Sequence, residues 1–439
     1  MSDLKKTRRP SAKEEQQGLN MSGSFRKVLD LSSEDPHSAG VKPITFVRQV
    51  AAGCVYPRIL QGDALPPDAR LRAQKLLSHF DGGSVGSYTE TCGSMHVRNT
   101  IAKSISLRDG GVPSSPEQVF ITVDTQRALM VMLRLLCQSE GVCAVMIPDP
   151  APHTLTRLLD RMGVVPVTYQ LREQSGWSFE RAELNRSIQA SRGRCFPLAI
   201  YISNPGNPTG HVQSRESIQD VIRFAADEQL FLLVYQDTVF ADGSEFVSYK
   251  RVLAEMGEPY SDGAQLASLH SLSNGIMGEC GFRTGYMELV NVDEAVMLYA
   301  EVLLTGDLCP PVIGQITLDV MADPPRPGEP SYSLYTRFAM VNQVILSPLL
   351  LSGSVCTDIG AVFPGVYCIC MRASCDLPRV TREVRSPPHR CRLSTSSRLV
   401  TVVGLHALWM LPFIRVLLLH QGGMRLTVCA LLPRVCRVG

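Results

Sequence analysis

The chain has 439 residues, 43 of them basic and 41 acidic, for a net charge of +2. That length can bury a full core and exceeds one typical domain, so it predicts a large domain plus a smaller one. The balanced charge excludes a protein that holds nucleic acid or an anionic membrane through a bulk field.

In chain order, residues 1–40 are polar and rich in Ser, Gly, Lys and Glu, and read as a flexible arm. Its start, "MSDLKKTRRPSAKEEQQGLN", has no apolar core, which predicts neither a secretory signal nor an anchor and points to the cytosol. From 41 to 338, helical patterns such as "DARLRAQKLLSHF" alternate with short apolar runs, "CAVMIPDP", "PLAIYISNP" and "QLFLLVYQD". That alternation predicts an α/β domain with a mostly parallel sheet flanked by helices, its chemistry in the loops at the carboxyl ends of the strands.

Residues 339–439 break the pattern. They hold eleven arginines and no lysine, and only Asp358, Asp376 and Glu383 as acids, so they read as an aberrant tail where a small C-terminal domain would stand. The apolar run at 399–419 is interrupted by His406, Pro412 and Arg415, which argues against a membrane span. Half of the 14 cysteines lie in the tail. Cys368, Cys370, Cys375, His389 and Cys391 lack the paired C-x2-C knuckles of structural zinc, so no metal is expected there. The other seven, from Cys54 to Cys309, read as reduced and mostly buried thiols.

Three places carry chemistry. "YISNPGNPTG" follows an apolar strand, and its prolines fix a turn that frees the Asn207 amide for a ligand at the sheet edge. Tyr235 ends the next strand, where its phenol can donate to a ligand oxygen or serve the scaffold. Ser271 and Arg283 bracket "SLSNGIMGECGFR" and supply a hydroxyl and a guanidinium suited to phosphate.

Across about 300 residues the chain resembles alanine aminotransferases, which are fold type I, pyridoxal-phosphate-dependent enzymes. The likeness runs through "GVKPITFVRQV", "GSYTETCG", "RDGGVP", "NPGNPTGHVQ", "HSLSNGIMGECGFRTGYME", "LCPPVIGQ" and "PSYSLY". "FRKVLDLSSEDP" in the arm also resembles the start of that family's catalytic chain, with a stretch missing before "PITFVRQV". The resemblance implies the exchange of an amino group between L-alanine and 2-oxoglutarate, giving pyruvate and L-glutamate, on pyridoxal phosphate. It assigns Asn207 and Tyr235 to the cofactor's phenolic oxygen, Ser271 and Arg283 to its phosphate, and Asn207 to the substrate as well. Tyr88 matches a tyrosine that reaches the phosphate in the neighbouring subunit, which implies a homodimer with shared sites. Arg425, in "MRLTVCALLP", echoes the arginine that clamps the substrate carboxylate.

The departures cluster at the same site. The family's S-x-S-K-G is here Ser271-Leu272-Ser273-Asn274-Gly275, so the lysine that forms the Schiff base and moves the proton is an amide without a useful basic pKa. "FLLADEVYQ" is shortened to "FLLVYQ", which removes the aspartate that keeps the pyridinium nitrogen protonated; Asp237 is a poor replacement by strand alternation. The phosphate turn "TGAS" is Val123-Asp124-Thr125-Gln126, which gives up a permissive glycine and sets a carboxylate beside an expected dianion. The ring-stacking tyrosine aligns with Pro152, next to His153. The sequence therefore predicts a pseudoenzyme, with transamination lost or strongly impaired and the cofactor bound weakly if at all. Two alternatives stay open: an active transaminase with an unrecognised compensation, and a non-catalytic subunit that pairs with an intact paralogue.

Overall fold

The computed structural model describes residues 36–37, 40–138, 141–236, 238–239, 245–273 and 275–350, and four strands beyond them. The chain divides into one unit of residues 33–355 and another made of 1–32 and 356–439. The helix Tyr332–Leu350 runs through residue 338.

The larger unit is built on a seven-stranded sheet: β1 (Val119–Thr122), β2 (Cys143–Asp149), β3 (Val165–Gln170), β4 (Phe196–Asn204), β5 (Phe231–Gln236), β6 (Leu266–Ser271) and β7 (Gly285–Val290). Their order across the sheet is β1-β7-β6-β5-β4-β2-β3. β7 lies antiparallel to both neighbours and the other pairings are parallel. The α/β reading and the strands expected at the three apolar runs thus hold, and the carboxyl ends of β1, β4, β5 and β6 share one edge.

Both faces of the sheet are covered, which is why its strands read as unbroken apolar runs rather than alternating ones. In β5, Phe231, Leu233 and Tyr235 enter one core with Ala128, Met132 and Met287. Leu232 and Val234 enter the opposite core with Ile222, Phe224 and Val252. The first core is closed by α1 (Asp124–Leu136), whose apolar stripe Ala128, Leu129, Val131, Met132 and Leu133 faces the strands. The second takes α2 (Arg215–Asp227) and α3 (Tyr249–Met256), each started by a serine cap: Ser214 Oγ accepts from Ser217 N at 3.2 Å, and Ser248 Oγ from Arg251 N at 3.0 Å.

A third core packs the helices Thr45–Val55, Pro67–Leu77, Met95–Arg108 and Val312–Ala322 together. Beyond the sheet, β8 (Gly353–Val355) ends the larger unit, and β9 (Cys368–Ala373), β10 (Leu418–His420) and β11 (Gly423–Cys429) belong to the other. The cysteine expectation needs one correction. Cys137 and Cys143 are joined in a disulfide, because the short turn between α1 and β2 brings their Cα atoms to 5.6 Å. Cys54, Cys92 and Cys195 are buried outside any disulfide, and Cys280 and Cys309 are half-buried. The arm expected at residues 1–40 lies outside the described residues up to residue 35, and so does the apolar run at 399–417. Among those described, no helix is long and apolar enough to cross a membrane.

Candidate functional site

Sheet register explains why distant residues meet. Thr122 at the end of β1 is paired with Gly285 at the start of β7, and Gly285 with Ser271 at the end of β6, so the three form one row. A Cβ on Gly285 would lie 2.5 Å from the His270 carbonyl oxygen, so this crossing needs glycine. Two residues outward from each member of the row stand Asp124, Arg283 and Ser273. The guanidinium of Arg283 is ion-paired with the Asp124 carboxylate through Nη2 and donates to the Cys280 carbonyl through Nη1 at 2.9 Å. Ser273 Oγ donates to Asp124 Oδ2 at 3.4 Å, and its backbone N–H donates to Ser271 Oγ at 3.2 Å. On the other carboxylate oxygen, Thr125 donates through its backbone N–H at 2.7 Å and through its hydroxyl at 3.3 Å.

Beyond the repulsion expected at Asp124, its carboxylate has partners of its own. The backbone keeps the left-handed conformation, with φ 67° at Asp124, which aspartate tolerates better than most residues. Its carboxylate is not exposed beside an empty seat. It takes up Arg283, one of the two residues that the resemblance assigns to a phosphate, together with Ser273 and Thr125. That arrangement does not fit a phosphate dianion, because the dianion would face the carboxylate.

Tyr235 joins the group through its hydroxyl, 3.4 Å from Ser271 Oγ. A count from Phe231 gives Tyr235 and Gln236 the places that "FLLADEVYQ" gives to aspartate and glutamate, and both lie within β5. Both side chains are buried. Gln236 Nε2 donates to Ser268 Oγ at 2.6 Å and Gln236 Oε1 accepts from Tyr249 N at 2.9 Å. Tyr249 donates its hydroxyl hydrogen to Gln213 Oε1 at 2.7 Å, and Gln213 N donates to Asn204 Oδ1 at 3.0 Å. These bonds form a satisfied polar chain under the strand ends. No carboxylate lies within β5.

Asn207 stands half-buried in the turn after β4. There Gly206 is forced by contact, since a Cβ would come 2.3 Å from His211 Nδ1, while His211 Nδ1 lies 2.6 Å from Thr209 Oγ1. Burial pulls His211 down to about 4. Tyr88 is 71% exposed on the approach to the helix Met95–Arg108. His153 is exposed at the first residue of the helix His153–Met162, which follows Pro152. Arg425 lies on β11, in register with Arg372 of β9 and Leu418 of β10. Asn274, Asp237 and the cysteine and histidine positions 375, 389 and 391 lie outside the described residues.

Several side chains that hold the site up carry no sequence signature. Glu279 accepts from Arg48 Nε at 3.0 Å and Nη2 at 2.7 Å, and the guanidinium lies 5.0 Å over the Phe282 ring, which ties the "GECGFR" loop to the helix Thr45–Val55. Lys250 is buried with its Nζ 2.5 Å from Glu288 Oε1, and Ser114 Oγ donates to the same oxygen at 2.5 Å. The other described lysines, Lys42, Lys75 and Lys103, are exposed, and none of the four bonds to the Asp124 cluster.

The fold and this cluster of strand-end loops define the class. Residues 57–315 match the family model for aminotransferase class I and II, and the chain belongs to that family. Within it, curated relatives are alanine aminotransferases: alanine aminotransferase 2 of Xenopus tropicalis is 43% identical over 81% of this chain and 68% of its own length. Human alanine aminotransferase 1 is 42% identical over 78% of this chain and 70% of its own, and an alanine aminotransferase 2-like protein of Danio rerio is 42% identical over 82% and 66%. The chain thus spans about two thirds of the length of the relatives it matches. Among solved structures, an alanine aminotransferase from Pyrococcus furiosus shares the fold, with a TM-score of 0.55 at 18% identity over 81% of this chain and 78% of that one.

Proposed function

We propose that this chain is an alanine-aminotransferase-family protein whose transamination is lost or strongly impaired. The family acts on amino and 2-oxo acids with pyridoxal phosphate, and for this branch the reaction is L-alanine plus 2-oxoglutarate to pyruvate plus L-glutamate. The observation that carries the reading is Asn274 in Ser-Leu-Ser-Asn-Gly, where the family has its lysine. Two features support it. Lys250, the one buried lysine among the described residues, is held by Glu288, so it is no substitute base. β5 carries a phenol and an amide where the pyridinium partner would stand. On the same reading, cofactor binding is weak, Tyr88 serves a partner subunit's site in a homodimer, and Arg425 is a remnant of the carboxylate clamp.

General acid–base catalysis is worth about 10²–10⁴-fold, so loss of the lysine alone accounts for a severe defect. Because the aspartate is missing too, Asn274→Lys is expected to leave turnover below roughly one hundredth of an ordinary aminotransferase. The check is alanine-dependent pyruvate formation by the purified Asn274→Lys chain with added pyridoxal phosphate. Recovery to within about tenfold of an ordinary aminotransferase would show that β5 needs no carboxylate.

A further inference from the structure

We propose that Asp124 is a tethered anion that keeps the chain's own oxyanion seat filled, and that removing its charge opens the seat to a free phosphate-class oxyanion. This goes beyond impaired transamination, because it concerns what occupies the site and not only what the site fails to catalyse. Around the Asp124 carboxylate stand four donors from three separate segments: the Thr125 N–H and hydroxyl, the Ser273 hydroxyl and the Arg283 guanidinium. Donors of these types, set at the first turn of a helix of 13 residues, suit a tetrahedral oxyanion.

The backbone points the same way. Asp124 and Arg283 face each other, and both are non-glycine residues in the left-handed region, at φ 67° and 50°. Each such residue is held against its preference, and it persists where the surrounding contacts over-determine it. The ion pair supplies that determination here. Asp124 is buried, with a side chain 10% exposed, so its charge is matched inside the site rather than dispersed in water. Remove the carboxylate and the Arg283 Nη2, the Ser273 hydroxyl and the Thr125 N–H and hydroxyl lose their shared acceptor, while Arg283 Nη1 stays anchored on the Cys280 carbonyl, which keeps the donors in place for an anion.

The test is an inorganic phosphate titration at fixed ionic strength, followed by thermal unfolding and by calorimetry, with chloride as control. Wild type is expected to show no saturable response. Asp124→Gly suits the left-handed backbone; it should unfold at a lower temperature in chloride, then gain stability saturably with phosphate, binding it roughly tenfold or more tightly than wild type. Asp124→Asn, which keeps the side-chain volume, should respond in the same direction. Adding Arg283→Gln to Asp124→Gly should abolish the response. Saturable binding by wild type at the same phosphate concentrations would overturn the proposal, as would folded Asp124 variants that ignore phosphate. Failure of both single variants to fold would make the pair a scaffold contact and overturn it too. None of these measurements reads transamination, so variants that ignore phosphate would overturn this proposal and leave the preceding reading, which rests on Asn274, standing.

Discussion

His211 in the turn after β4 and His270 near the end of β6 are half-buried residues, each with one ring nitrogen, Nε2 and Nδ1 respectively, shut away from water. Burial brings each to about 4, and for His270 the nearby Arg108 guanidinium adds to the effect. His211 Nε2 and His270 Nδ1 have no hydrogen-bond partner among the described residues, so neither ring has a counter-charge waiting. In the unfolded chain the same rings take up protons near 6.5. Between those two values the unfolded state binds more protons, so the stability they contribute is complete above about 6.5 and is lost as the pH falls towards 4. The slope is about 1.4 kcal/mol per pH unit for each ring where it is steepest. Urea unfolding should therefore show a clearly lower midpoint at pH 5 than at pH 7, and equal midpoints would contradict the burial of neutral rings. At this scale the sequence was partly readable. Ser271 and Arg283 stand out as anion ligands by residue type, and both belong to the strand-end group, Ser271 bonded to Ser273 and Tyr235 and Arg283 to Asp124. That the anion on Arg283 is Asp124 was not readable, because the repulsion expected of a carboxylate presumed a phosphate already in place. Cys137 and Cys143 were equally opaque, since six residues of separation say nothing about which way a helix end and a strand start will face.

Among the elements, α3 is pinned to β7 through one buried ion pair, Lys250 with Glu288. Removing one partner strands a charge in the core, whereas removing both exchanges a desolvated pair for apolar packing. Lys250→Met is expected to cost about 3–5 kcal/mol of unfolding free energy, and Lys250→Met with Glu288→Leu to recover most of it. Chemical denaturation checks both, and a single variant within about 1 kcal/mol of wild type would show that the carboxylate finds water or a proton instead. β5 offers a related lesson. Its apolar run and its place in the parallel sheet follow from composition and length, but the rescue of Gln236 by Ser268 and Tyr249 joins residues from three elements and has no local signature. The polar end of β5 is accommodated because Tyr235 and Gln236 find hydrogen-bond partners on neighbouring elements.

Taken as a whole molecule, the larger unit has a seven-stranded sheet between apolar cores and matches the class I and II aminotransferase family, while on the proposed reading the residues for its chemistry are replaced or already engaged. Scaffold and site answer to different physics. The fold rests on many buried apolar residues that tolerate substitution, so it is legible in alternating helical and apolar runs. The site rests on a few polar atoms whose partners come from loops over a hundred residues apart, as Asp124 and Arg283 do, and only sheet register reveals their meeting. The central claim is that this scaffold has parted from its family's reaction. Alanine-dependent pyruvate formation by the purified wild-type chain, with 2-oxoglutarate and saturating pyridoxal phosphate, tests it most directly. The account predicts turnover at least about 10²-fold below an ordinary aminotransferase, and turnover within about tenfold of one would contradict it.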